Sequence, residues 1–222
     1  MKKLYHILLI LLLICVTGTV LFLILSPDRV PMHFNLAGEP DRIGSKYENV
    51  IWPLLAGASV LLFLLLARRE KKKEGQTNAK VFLITGVCLT ALFTALGFFF
   101  MWKAAGYDPQ KAANISYDDV NRFVSIGVGV LMVVLGNIMP KAQRNSLFGV
   151  RTQWSMASDD VWQKSQRFGG VVLVIAGFVL ILLSLFLPGI WNTIAMIALL
   201  AVAAILSARA SYRYYQKDRE KP

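Results

Sequence analysis

The sequence predicts an all-α integral membrane protein, a bundle of six transmembrane helices with both termini on the inner side. Three observations predict it. First, 56% of the 222 residues are hydrophobic and only 17% are charged, against about 25% charged in an ordinary soluble domain. Second, the apolar residues fall in blocks near 4–25, 50–67, 80–102, 119–139, 170–187 and 190–208, and a spanning helix needs about 20 such residues. Third, threading those blocks with the N-terminus inside leaves 18 Lys and Arg on the inner side and 6 on the outer. The positive-inside rule therefore accounts for the net charge of +11, and nucleic acid is not needed as a partner.

The first block, "LYHILLILLLICVTGTVLFLIL", is longer than a signal-peptide core and ends in "SPDR" with no small-x-small site. It reads as an uncleaved span. The outer loop that follows (26–49) contains Pro27, Pro31 and Pro40, which forbid a continuous helix, and Gly38 and Gly44, which allow tight turns. "VPMHFN" reads as a short extended segment and "AGEPD" as a turn, so a compact, folded loop is expected. Its His33 lies near Asp28, Glu39 and Asp41, and a hydrogen-bonding role fits one histidine among scattered acids better than a metal site.

The inner segment 68–79 is a run of charge suited to holding topology at anionic headgroups, with Asn78 placed to cap the third span. In the second outer loop Ser116, followed by Asp118 and Asp119, marks the start of the fourth span. Ser125, Gly129 and Gly136 would give that span a close-packing seam, and the alanines of the sixth span would do the same. Such seams allow a homo-oligomer without requiring one. Trp52, Trp102 and Trp191 all fall at the outer interface, where indoles prefer to lie.

The second inner loop is the most particular stretch, "NSLFGVRTQWSMASDDVWQKSQRFGG". Ser158 with Asp159 and Asp160 starts a helix of about three turns, which Gly169 and Gly170 should stop or bend into the fifth span. Val161, Ser165 and Phe168 share a narrow face with Trp162 beside it, suited to lying on the inner membrane face or on other loops.

Catalytic and cofactor signatures do not emerge. There is no Gly-rich phosphate loop, no HExxH and no GxSxG. Acids, lysines and arginines avoid the middle of every span, which disfavours an ion-coupled transporter. Cys15 and Cys88 lie in spans and suggest neither a disulfide nor a metal site. The sequence thus points away from an enzyme and names no cofactor.

Two stretches resemble a known family. "VPMHFNLAGEPDRIGSK" resembles the domain often found ahead of SdpI-type membrane proteins, with Pro31, His33, Phe34 and Asn35, then Gly38 and Asp41, then Gly44 and Lys46. "GNIMPKAQRNSLFGVRTQWSMASDDVWQKSQRFGG" resembles the signature of the SdpI immunity family itself. There the residues are Asn137, Pro140, Asn145, Gly149, Arg151, Thr152, Trp154, Trp162, Arg167 and Phe168. Gln153 stands where that family more often has proline, and Gln166 where it often has histidine. The resemblance implies a bacterial cell-membrane protein that protects against a secreted toxic peptide. In the best-known member it also implies a cytoplasmic DNA-binding autorepressor held at the membrane.

From these stretches follow the expectations put to the structure. Residues 1–67 form a two-helix unit, 68–79 a charged linker, and 80–222 a four-helix unit with an inner lid over 140–170. The eight outer-loop residues sense the toxin, and the ten inner residues form a lid, with Arg151 as its anchor through several donors. A lid that merely braces the bundle is the plainer alternative. A transporter of small amphipathic molecules, or an intramembrane enzyme, competes with immunity.

Overall fold

The computed structural model describes residues 1–35, 40–73, 76–106 and 118–220. Six helices carry the fold: α1 (Lys2–Leu25), α2 (Ile51–Lys73), α3 (Gln76–Ala105), α4 (Asp118–Ile138), α5 (Asp159–Phe186) and α6 (Gly189–Arg219). All six are long and apolar enough to cross a bilayer. Their outward faces keep large apolar side chains exposed, among them Leu13, Ile24, Leu65, Phe178, Leu182 and Ile197, as lipid contact requires.

The helices pack in two groups. α1, α2 and α3 lie against one another around Leu8, Val60, Phe63, Phe82 and Leu83, while α4, α5 and α6 share Met132, Ala176, Leu180 and Ala203. Sequence reasoning joined α3 to the C-terminal unit, but it packs chiefly on α1 and α2. The described parts of the charged linker 68–79 continue the flanking helices. They are helical through Lys73 and again from Gln76.

Glycines set the α4–α5 distance. A Cβ built on Gly136 would sit 2.6 Å from the Gly170 carbonyl oxygen, and one on Gly170 would sit 2.5 Å from that of Gly136. Two turns further out, Gly129 and Gly177 oppose each other the same way, at 2.9 and 2.6 Å. Backbone meets backbone at both levels, the close approach that small residues permit in lipid. The expected seam of Gly129 and Gly136 therefore exists, with Ser125 buried on the same helix.

Gly169 and Gly170 do not end a helix. α5 runs unbroken from Asp159 to Phe186, capped by Ser158, whose Oγ accepts from the Val161 N–H at 3.2 Å. The helix expected to lie on the inner membrane face or on other loops is the first part of the fifth span, and its Trp162 packs on the loop residues Ala142 and Phe148. Polar groups within spans mostly bond back to their own helix, as Thr85 does to the Val81 carbonyl and Ser184 to that of Leu180. Thr90 differs: it reaches Ser59 on α2 at 3.3 Å.

The outer loop folds as a hairpin, β1 (Arg29–Phe34) antiparallel to β2 (Pro40–Ser45), with irregular register around His33. A 3₁₀ turn (Lys46–Val50) then leads into α2. Val30 is fully buried against Phe22 and Met101, which seats the hairpin on α1 and α3. Ser116, expected to cap the fourth span, and Gly38 lie outside the described residues.

Candidate functional site

The inner lid is the loop between a short 3₁₀ turn (Met139–Lys141) and α5. Its shape comes from side chains bonding to backbone. Asn145 begins it: Oδ1 accepts from the Leu147 and Phe148 N–H groups at 2.9 and 2.8 Å, and Nδ2 donates to the Gln143 carbonyl at 2.9 Å. An asparagine closing its own turn in this way replaces bonds the backbone would otherwise seek elsewhere. Gly149 follows with φ +101°, a conformation side chains rarely adopt, and a Cβ there would collide with Gln166.

Gln166 is the lid's main anchor. It is fully buried, and its amide matches both polar groups of Val150: Oε1 accepts from the N–H and Nε2 donates to the carbonyl, each at 2.9 Å. The side chain acts as a neighbouring strand would. Ser155, also fully buried, ties the next turn. Its Oγ donates to the Val150 carbonyl at 2.8 Å and accepts from the Thr152 N–H at 2.9 Å.

Three helices hold the lid from outside. On α3, Asn78 accepts from the Gln143 N–H at 2.9 Å, so it is a lid tether and not the cap expected of it. On α5, fully buried Trp162 donates through Nε1 to the Ala142 carbonyl at 2.7 Å. On α6, Ser211 pairs with Thr152 at 2.8 Å, Tyr212 packs on Trp154 with ring centroids 4.9 Å apart, and Asp218 accepts from Ser158 at 2.8 Å. Arg144 adds an ion pair to Asp159 at 3.0 Å.

The structure therefore brings together Asn145, Gly149, Thr152, Trp154 and Trp162 of the ten inner residues. Asn137 and Pro140 are exposed at the end of α4. Phe168 faces a separate groove on α6, and Arg167 is exposed. Arg151 is not the anchor. It is exposed and makes no hydrogen bond or ion pair among the described residues. It lines the rim of a mainly apolar cavity of about 510 Å³ beneath the lid, walled by Leu135, Leu173, Ala203 and Ala204.

Sequence reasoning missed Gln166, Ser155, Asn78, Ser211 and Asp218. For Gln166 a signal existed, since it stands where the resembled family often has another hydrogen-bonding side chain. Asn78 carries the mark of a helix cap, which pointed elsewhere, and the other three carry no local mark.

In the outer hairpin, His33 Nδ1 meets Asp41 Oδ1 at 2.5 Å across the strands, both side chains exposed. Pro31, His33 and Asn35 line a cavity of about 330 Å³ with Asn49, Trp52 and residues of α4. Phe34 pairs with Pro40 in the register. Lys46 is nearly buried, and its ammonium donates to the Ser26 carbonyl and pairs with Asp28, both at 3.1 Å. It bolts the hairpin to the end of α1. A Cβ on Gly44 would collide with Glu48.

Glu48 completes a capping box with Ser45 and accepts from Arg42 at 2.6 Å. The Arg42 hydrogen bond first, then that from the Ser45 backbone, lowers its pKa below the ordinary 4.5. A carboxylate held lower in the folded state stabilises it above its unfolded pKa, and that contribution is lost as pH falls through the folded value. The Ser45 N–H and Arg42 guanidinium resonances should thus shift together with a midpoint below pH 4.5, and Glu48→Gln should remove the transition. Titration at or above the ordinary carboxylate value would contradict this.

Comparison with known proteins agrees with this anatomy. The chain is 30% identical over 218 residues to the Immunity protein SdpI of Bacillus subtilis (strain 168), covering 98% of each. The chain belongs to the SdpI family. The SdpI/YfhL family model matches residues 141–208, which are the lid, α5 and most of α6. A domain of unknown function, DUF1648, matches 9–57, which are most of α1, the hairpin and the first turns of α2. No solved structure matches the chain. With its six apolar helices, this member of the SdpI family is a multi-pass protein of the bacterial cell membrane.

Proposed function

We propose that this protein confers immunity, protecting the membrane of the bacterium that carries it from a secreted toxic peptide. The observation that carries this reading is the end-to-end similarity to an immunity protein, at 30% identity over 98% of both chains. The hairpin and its cavity, with Pro31, His33 and Asn35, offer the outer surface where a peptide would be met. The lid is the inner reporter. A toxin that favours one lid arrangement over another would shift their populations, provided its affinity for the two differs. A cytoplasmic repressor would then dock where Arg151 and Leu147 stand exposed at the rim.

Transport of small amphipathic molecules is the competing reading, and the absence of acids and bases from mid-span disfavours it. The deciding test is expression in a toxin-sensitive strain exposed to membrane-active peptides from related bacteria, with survival and membrane potential recorded beside a vector control. Retained potential supports immunity. Death at the control rate against every peptide, with the protein shown in the membrane, overturns it.

Arg151→Ala separates reporting from folding. Stability should change by less than about 0.5 kcal/mol, as for a surface residue without partners, while recruitment of a repressor to the membrane falls. Unchanged recruitment would exclude Arg151 from that surface.

A further inference from the structure

On the side of α6 away from the lid, a second groove opens between α6 and α5 at the inner end, about 520 Å³ in volume. Its floor is Phe168, Leu206 and Ala210, and its basic wall is Arg209, Arg213 and Lys217, with Tyr214 between and Glu220 at the far end. The three basic residues recur every four positions on one helix, so their backbones rise about 6 Å apart. All three are exposed, and none has a hydrogen bond or ion pair among the described residues.

The depth of the groove matters most. Trp191 lies exposed at the outer end of α6, and about 20 helical residues cross the hydrocarbon layer. Counting from it puts the inner edge of that layer near Arg209. Counting back from Phe186 along α5 reaches the same level beside Phe168. The apolar floor is therefore at acyl-chain depth, and the basic wall stands in the headgroup layer. A soluble acidic protein cannot reach the floor, and a free anion gains nothing from it. A molecule with a chain at one end and an anionic phosphodiester at the other fits both.

We propose that this groove is a binding site for an anionic phospholipid, its phosphate held between Arg209 and Arg213 with Lys217 beside them, and an acyl chain along Leu206 and Phe168. The proposal does not depend on immunity. It has a consequence for the lid, because the opposite face of the same turns of α6 carries Ser211 and Asp218, which hold Thr152 and Ser158. A lipid seated in the groove pins α6 where the lid needs it.

The test uses the full chain purified in neutral detergent. Bound lipid is counted by native mass spectrometry, and thermal unfolding is followed, with phosphatidylglycerol, phosphatidylcholine, glycerol phosphate or inorganic phosphate added. Phosphatidylglycerol should bind and raise Tm, and the other three should not. Arg209→Gln with Arg213→Gln should weaken phosphatidylglycerol binding by about tenfold or more, since each basic group near an anionic lipid contributes roughly a factor of five. Arg68→Gln with Arg69→Gln, an equal loss of exposed charge on α2, should leave binding unchanged. Equal binding of phosphatidylcholine, or an equal loss in the α2 variant, overturns the site. So does stabilisation by the phosphates alone, which would mark a plain anion site. Failure of phosphatidylglycerol to bind the unaltered protein overturns it as well, whatever the variants do. If binding at the groove were to an acidic protein, phosphatidylglycerol would not compete, and the proposal would again fall.

Discussion

Gly170→Leu should remove the folded protein from the membrane. The position has no room for a Cβ, which would lie 2.5 Å from the Gly136 carbonyl oxygen and 3.2 Å from the Pro140 ring. Backbone cannot step aside as a flexible side chain can, so α4 and α5 must separate. Overpacking typically costs about 1–3 kcal/mol where neighbours can adjust, and here the neighbour is a helix backbone. Separation would also open the Gly129–Gly177 contact two turns away. The measurement is the amount of protein recovered from membranes and its Tm in detergent, with Gly57→Leu as the comparison. At Gly57 a Cβ finds only Leu12 at 3.8 Å, so that variant should accumulate normally. Equal recovery of the two would mean that the α4–α5 seam does not set the bundle.

The second large effect is local. Gln166→Leu keeps similar bulk but leaves the Val150 N–H without a partner and its carbonyl held by Ser155 alone. Leaving a buried donor or acceptor unsatisfied costs about 1–3 kcal/mol each, enough to let the lid leave its seat while the spans stay folded. Protease should then cut between Asn145 and Ser158 at least about tenfold faster, a factor worth roughly 1.4 kcal/mol, with Tm of the bundle little changed. Gln166→His should be intermediate, because a neutral imidazole offers one donor and one acceptor but not in the side-by-side geometry of an amide. A lid as resistant as before in the leucine variant would show that Trp162, Asn145 and Ser155 suffice to hold it.

The spans were legible because hydropathy in blocks and the asymmetry of Lys and Arg are properties of the chain alone. So were the Ser158 cap and the folded outer loop, which depend on local residues. What was misread shares one cause. Gly169–Gly170 carries the local mark of a helix end, but its reason is the approach of α4, which no neighbouring residue announces. Asn78 sits where a cap belongs, yet bonds to a backbone 65 residues away. Arg151 has the chemistry of an anchor and stands free, while a neutral glutamine fits the buried backbone without bringing a charge out of water. The helix partners of the lid, Ser211 and Asp218, lie 59 and 60 residues from what they hold. Only the packing of α5 beside α6 joins them.

The unbroken course of α5 has a mechanical meaning. Its 28 residues make a rod about 42 Å long. The rod has no hinge at Gly169–Gly170, and near its outer end Arg122 of α4 grips the Ser184 carbonyl at 3.0 Å. Tilting such a lever by about 5° around its outer end swings the inner end by roughly 4 Å, more than the length of the bonds from Gln166 to Val150. Any tilt of the rod would therefore carry the lid contacts of Gln166 and Trp162 with it.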